Sequence, residues 1–204
     1  MTEDESGTRL PYRGEIWRKA LHLLSLSIPI GLLLFGRQTA LVILVPLAAA
    51  FVVSEILRSR FAGVRNFISK VFGFMMRPEE NPSAPSSVHF NGATWVLLSA
   101  CVVIALFEPR IAAAALIIGL IGDAAAALIG RRFGRHRIGK RGKSIEGSLA
   151  FAVAALLAVY PVPGIALPSA AAAVVVAAIV EGIGGPVNDN LSVPLAAGIV
   201  LTFI

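Results

Sequence analysis

Seven long apolar runs, separated by charged or breaker-rich connectors, constrain this chain more than any other feature. Several approach the ~20 residues that a helix needs to cross a bilayer. The chain is 56% hydrophobic and only 15% charged, which is not the composition of a water-soluble globular domain. The expected fold is all-α: a polytopic membrane helix bundle of about seven transmembrane helices, with residues 1–204 as one domain.

The expected spans are Ile16–Phe35, Thr39–Leu57, Ala93–Phe107, Arg110–Ile129, Gly147–Tyr160, Ile165–Val180 and Leu191–Ile204. Residues 1–14 read as a polar N-terminal tail. The acidic start, Thr2 to Gly7, lacks the positive charge that precedes the apolar core of a signal peptide, so the first run is expected to be kept. Between the second and third spans, apolar residues recur at Phe61, Val64, Phe67, Ile68, Val71, Phe72 and Met75. That spacing predicts an amphipathic helix over 61–76, lying in the membrane interface. It suits a lateral entrance for a lipid, or a plain connector resting on the headgroups.

Charge orients the spans. Sixteen of the eighteen Lys and Arg residues fall on one side, in the N-terminal flank and in the loops after the second and fourth spans; Arg37 and Arg110 fall on the other. The positive-inside rule makes the basic side, and the N-terminus, cytoplasmic. The net charge of +6 is therefore topological and implies no nucleic-acid partner. Cys101 stands alone, so neither an intrachain disulfide nor a cysteine metal site is available.

Against this apolar background Asp123 is the first candidate for chemistry, because a carboxylate at a helix centre in hydrocarbon costs roughly 3 kcal/mol or more. Its neighbours Gly119, Gly122, Ala124 to Ala127 and Gly130 are small, which lets helices approach closely or leaves room for a ligand. A glycine-punctuated basic loop follows, containing Arg131, Gly134, Lys140 and Lys143. Such a loop can cradle phosphates with main-chain N–H groups and neutralise them with cations, or can serve only as topogenic charge. Ser144 can cap the next helix, whose first turn contains Glu146 and Gly147 and favours an anion. Asp123 and Glu146 beside a polyphosphate are expected to bind Mg²⁺, which takes a few carboxylates plus phosphate oxygens.

Other polar residues gather at the same ends of the spans. Arg18 and His22 share a face of the first helix, with Lys19 next to Arg18 in sequence, and Glu55 and Arg58 close the second span. Glu181 and Asp189 flank a glycine-rich turn before Asn190. Each can be a metal or phosphate contact, or a structural or solvated group.

Gly122-Asp123-x-x-Ala126-x-x-x-Gly130-x-x-x-Gly134, followed by Lys143-Ser144-x-Glu146-Gly147-Ser148, resembles the membrane lipid kinases that include dolichol kinase, phytol kinase and CTP-dependent diacylglycerol kinase. Arg18-Lys19-x-x-His22, Glu55-x-x-Arg58, Arg77-x-Glu79, Gly92-Ala93-Thr94 and Asp189-Asn190-Leu191-x-x-Pro194 extend the resemblance along nearly the whole chain. It implies transfer of the γ-phosphate of CTP to the hydroxyl of a polyprenol, dolichol or phytol type of alcohol, or of diacylglycerol, with a divalent metal. It implies Asp123 and Glu146 as catalytic or metal carboxylates, joined by Asp189. Arg131, Gly134, Lys140, Lys143, Ser144, Gly147, Asp189 and Asn190 are then the expected nucleotide-binding set on the cytoplasmic face of a multi-pass membrane protein. Asp123 either binds Mg²⁺ or accepts the hydroxyl proton. Two other activities are weighed. A phosphatidate cytidylyltransferase shares the central pattern but ends in a His-Gly-Gly signature absent here. A small transporter would use intramembrane carboxylates, but the chain lacks repeated halves.

Overall fold

A computed structural model describes residues 12–76, 88–138, 142–185 and 187–204. The N-terminal tail up to residue 11, Arg77, Glu79 and Lys140 lie outside the described residues. The rest of the expected tail is already helical, because α1 spans Tyr12–Leu24.

After a turn at Ser25 and Leu26, α2 spans Ser27–Arg60, interrupted at Gly36 with φ 79° and ψ 172°. Only glycine takes that φ without steric cost. Ile28 and Leu32 before Gly36 share a cavity with Ala40, Leu44 and Leu47 after it, so the chain doubles back there. The span expected over Ile16–Phe35 is thus divided between α1 and the first arm of α2, and the second arm contains the span expected over Thr39–Leu57. α3 (Ala62–Phe72) and a 3-10 turn (Gly73–Met75) follow, where the interfacial helix was expected. The later runs form α4 (Gly92–Leu106), α5 (Pro109–Phe133), α6 (Ile145–Val159), α7 (Leu167–Ile183) and α8 (Asp189–Phe203).

The helix starts are written in the sequence. Asn91 accepts from the Thr94 N–H at 2.9 Å and Asn188 from the Asn190 N–H at 3.0 Å. Glu108 accepts from the Arg110 N–H at 3.1 Å, with Pro109 in the first turn of α5, where its missing N–H costs nothing. Ser144 accepts from the Gly147 N–H at 3.1 Å, the expected cap of α6. The connector before it holds the one departure from an all-helical chain among the described residues. Arg137–Ile138 (β1) pairs antiparallel with Lys143–Ser144 (β2), in a ribbon of two residues a side.

α5 is the hub, packing against α1, α2, α4, α6, α7 and α8. Its Ala112, Ala113, Ala114, Ala115 and Ile118 are fully buried. The small residues around Asp123 are seats for neighbouring helices rather than ligand space. A Cβ at Gly119 would meet Pro194 of α8 at 2.7 Å, and one at Gly122 would meet the Phe151 ring of α6 at 2.5 Å.

Two stretches are long and apolar enough to cross a bilayer, Tyr12–Arg60 and Pro109–Phe133; the four remaining apolar helices are shorter. A 15-residue helix reaches only about 22 Å, against a hydrocarbon core of about 30 Å. The outer faces nevertheless carry large apolar side chains such as Leu34, Val42 and Leu157, each at least 70% exposed. Such continuous outward apolar surface is what a bilayer, not water, accommodates. Alternation of the helices brings the polar termini to one end of the bundle: the start of α1, the end of α2, the starts of α4, α6 and α8 and the ends of α5 and α7.

Candidate functional site

The polar end is organised by pairs between distant helices. Glu15, Arg18, Lys19 and His22 recur at i, i+3, i+4 and i+7, which makes one polar stripe along α1. The stripe docks on α5. Lys19, only 4% exposed, donates to Oδ2 of Asp123, and His22 Nε2 lies 3.4 Å from the same oxygen. Glu15 takes Arg131, Nη1 to Oε2 at 3.2 Å, and sits 4.0 Å from Arg18. Glu15 was not singled out from the sequence, although its spacing from Lys19 placed it on the same face.

A second buried pair lies at the end of α2. Glu55 and Arg58 meet at 2.6 Å, both under 5% exposed. Arg58 also donates to the His89 carbonyl at 3.1 Å, and Glu55 accepts from the Asn91 N–H at 3.4 Å. The pair thereby ties α2 to the start of α4. The start of α8 is tied in as well, through Asn190 Nδ2 to the Gly92 carbonyl at 3.5 Å.

These residues face a cavity of about 380 Å³. Asp123, Lys19, His22, Arg18, Glu55, Asn91 and Asn190 line its polar side. Leu21, Phe51, Ile68, Phe72, Met75, Met76 and Val96 line its apolar side. A pocket with one charged wall and one greasy wall suits an amphiphile whose polar head is held while its chain stays out of water.

The loop residues form a neighbouring cluster. Lys143 Nζ lies 2.8 Å from Oε1 of Glu181 and 2.6 Å from Oδ2 of Asp189, and donates to the Glu181 carbonyl at 2.6 Å. Burial works against the ammonium charge, but Glu181, with hydrogen bonds to Asp189 and Glu181, outweighs it and holds the Lys143 pKa above its ordinary value. Ser144 is spent as a buried cap, wedged against Gly130, Gly134 and Gly147. A Cβ on Gly134 would fall 2.2 Å from the Gly130 carbonyl oxygen, so Gly134 serves the close approach of the loop.

The expected gathering of Asp123, Glu146 and Asp189 at one point does not occur. Glu146 turns to the loop: His136 Nδ1 lies 2.8 Å from its Oε1, and the His136 N–H donates to it at 3.3 Å. Hydrogen bonds from its own main-chain N–H and from His136 hold its pKa down at about 2. Each of the three carboxylates therefore answers a different partner, because α6 starts beyond the loop turn while Asp123 lies further down α5 toward α1. Among the described residues no three His, Cys, Asp or Glu side chains converge as a metal cage. Glu181 and Asp189 share one ammonium and so lie side by side. Two carboxylates suit a hard cation that brings its other oxygens on a phosphate.

No protein-family model matches the chain, and no solved structure matches it. Over 95 residues, 42% of the chain, it is 36% identical to the dolichol kinase sec59 of Schizosaccharomyces pombe. The chain covers 19% of that kinase's length. Over 192 residues it is 27% identical to an uncharacterized protein of Rickettsia prowazekii, covering 88% of the chain and 89% of the relative. The partial similarity to a dolichol kinase is in keeping with a dolichol kinase-like membrane protein.

Proposed function

We propose that this chain is a membrane lipid kinase that transfers the γ-phosphate of CTP to the hydroxyl of a membrane lipid alcohol. The observation that carries the reading is the two-faced cavity: Asp123 and its cations on one wall, apolar side chains on the other, beside the Lys143 cluster. The partial identity to a dolichol kinase supports it independently. The basic end faces the cytoplasm, where nucleotides are, in keeping with the charge asymmetry of the loops.

In this mechanism the lipid hydroxyl enters beside Asp123. Its oxygen attacks the γ-phosphorus in line, a new P–O bond forms, the bond to the β-phosphate oxygen breaks, and CDP leaves. Asp123 accepts the hydroxyl proton once Lys19 and His22 turn toward the incoming phosphate. Arg18 and Lys19 on one side and Lys143 on the other neutralise the charge that spreads over the transferring group. Mg²⁺ supplies further neutralisation when it accompanies the triphosphate, and Glu181 with Asp189 would hold it. Most of the catalysis is then positioning and electrostatics, which explains why so little polar protein is needed.

The test uses the purified chain in detergent or vesicles with Mg²⁺, γ-labelled CTP and a polyprenol. Labelled lipid phosphate is the expected product. Transfer of the CMP moiety to a lipid phosphate, with release of pyrophosphate, would instead make the chain a cytidylyltransferase. No transfer from CTP, ATP or UTP to any lipid alcohol would overturn the kinase reading.

A further inference from the structure

The apolar side of the Asp123 cavity is built largely by one short element. α3 contributes Ile68 and Phe72 to its lining, the 3-10 turn Met75, and the residue after that turn Met76. α3 itself buries none of its eleven residues, and Phe67, Phe72 and Phe74 are each more than 40% exposed. An element this apolar and this poorly packed lies against lipid, as interfacial helices do. It also remains tied to the site, because Met76 is buried and its sulfur lies 3.9 Å from Nη1 of Arg58. Phe72 therefore belongs to two surfaces: it is 44% exposed on the outside and also lines the pocket that ends at Asp123.

We propose that Ile68–Met76 is the wall along which the chain of the lipid alcohol enters from the bilayer, with Phe72 and Met75 as its contact residues. This rests on the kinase reading for the position of the hydroxyl, which lies at Asp123. A cavity of about 380 Å³ holds the hydroxyl and the first part of one chain, and the remainder of the chain passes out beside Phe72 into lipid. Aromatic and methionine side chains suit this task. They are bulky enough to displace water and, in the case of methionine, adapt to an irregular chain. These residues then set how thick a chain can be next to the hydroxyl.

A second groove competes for the role. Ala152, Val175, Ile179 and Ile183 line an apolar cavity of about 680 Å³ between α6 and α7. It is larger, but none of its lining residues is charged and Asp123 is not among them. A chain lying there would have its hydroxyl away from the carboxylate.

The test is photo-crosslinking of the full chain in vesicles with a single-chain isoprenoid alcohol that carries a diazirine near the hydroxyl. Mass spectrometry should place adducts on Ile68, Phe72 or Met75, and excess unlabelled alcohol should remove them. Phe72→Ala with Met75→Ala should raise the lipid KM about tenfold and leave the nucleotide KM within about twofold, as expected for lost hydrophobic contacts to one substrate only. Circular dichroism and gel filtration check that the variant folds, and the wild-type adduct map requires no variant. Adducts confined to Ile179, Ile183 or Ala152 overturn the wall, even if phosphate transfer is observed. Adducts on α3 without transfer from any nucleotide sustain the wall and overturn the kinase reading.

Discussion

Lys19 on α1 donates to Asp123 on α5 across 104 positions of sequence. The contact makes α1 part of the site rather than a membrane anchor beside it. It also makes the carboxylate affordable where it lies, since an ionised group away from water persists when a cation faces it. A residue chosen for chemistry and a residue that holds a helix in place are here the same pair.

Asp123→Asn should therefore separate the two roles. The amide keeps the shape and still accepts from Lys19, so the variant should express and fold, with some stability lost because the buried Lys19 ammonium no longer faces a charge. It can no longer take a proton, and kcat should fall about 10²–10⁴-fold, the range for a lost general base. Lys19→Met should do the reverse first: it strands the carboxylate and should cost on the order of 3 kcal/mol of stability. Phosphate transfer and thermal unfolding in detergent read the two effects. Equal unfolding midpoints for Lys19→Met and wild type would remove the structural role of the pair.

Lys143 links the loop to α7 and α8, and its raised pKa fixes the sign of a pH effect. A lysine whose folded pKa exceeds its unfolded value of 10.5 adds stability that is complete below 10.5 and disappears as pH rises through the folded value. Wild type should thus lose unfolding midpoint on the alkaline side of 10.5 more steeply than Lys143→Met. Near neutrality, Lys143→Ala should weaken nucleotide binding by about 10–100-fold, as for a lost charge-assisted hydrogen bond. Parallel alkaline curves for the two proteins would mean that Glu181 and Asp189 do not sustain the charge.

Gly122 tests the packing account of the small residues. Alanine there would gain up to about 1 kcal/mol in helix propensity. Its methyl would stand 2.5 Å from two atoms of the fully buried Phe151 ring, and overpacking of that kind costs about 1–3 kcal/mol. The clash should win, and Gly122→Ala should unfold earlier than wild type. Adding Phe151→Leu should recover part of the loss, with a favourable coupling in the double-mutant cycle. A Gly122→Ala protein as stable as wild type would return that space to a ligand.

The helices were legible because their signals are local. Apolar runs, an Asn or Ser before α4, α6 and α8 and a proline in the first turn of α5 and α7 are read over a few residues, and α4 to α8 begin within a turn or so of the expected places. The reversal at Gly36 falls in the gap expected between Phe35 and Thr39, but the break at Ser25 and Leu26 was not legible, because nothing in that apolar run announces it. Glu55 and Arg58, three apart on one helix, were legible as a pair, but the partners of the other charges were not. Asp123 had been joined to Glu146 through the hairpin between α5 and α6, the shorter path in sequence. The fold joins it to Lys19, because α1 packs on that face of α5 and Glu146 finds His136 within its own loop. The stripe Glu15, Arg18, Lys19 and His22 held the missing information. Four charged or titratable groups on one helix face inside an apolar chain must meet a polar partner elsewhere.

The Glu55–Arg58 pair carries the last prediction, and it concerns stability rather than chemistry. Both side chains are under 5% exposed, and they meet at 2.6 Å where α2 ends. The pair lines or borders the cavity, but it also holds the His89 carbonyl and the Asn91 N–H, so it fixes the start of α4. Removing one partner leaves a buried charge, at a cost of about 3–5 kcal/mol. Arg58→Met should therefore lower the unfolding midpoint far more than Glu55→Leu with Arg58→Met together, because the double replacement strands no charge. Activity should follow stability in both: restored at low temperature in the double variant if the pair is structural, and still lost if Glu55 touches substrate. Thermal unfolding and transfer assays on the two proteins decide it. A double variant as unstable as the single one would place the pair's value in its contacts to His89 and Asn91 rather than in its charge balance.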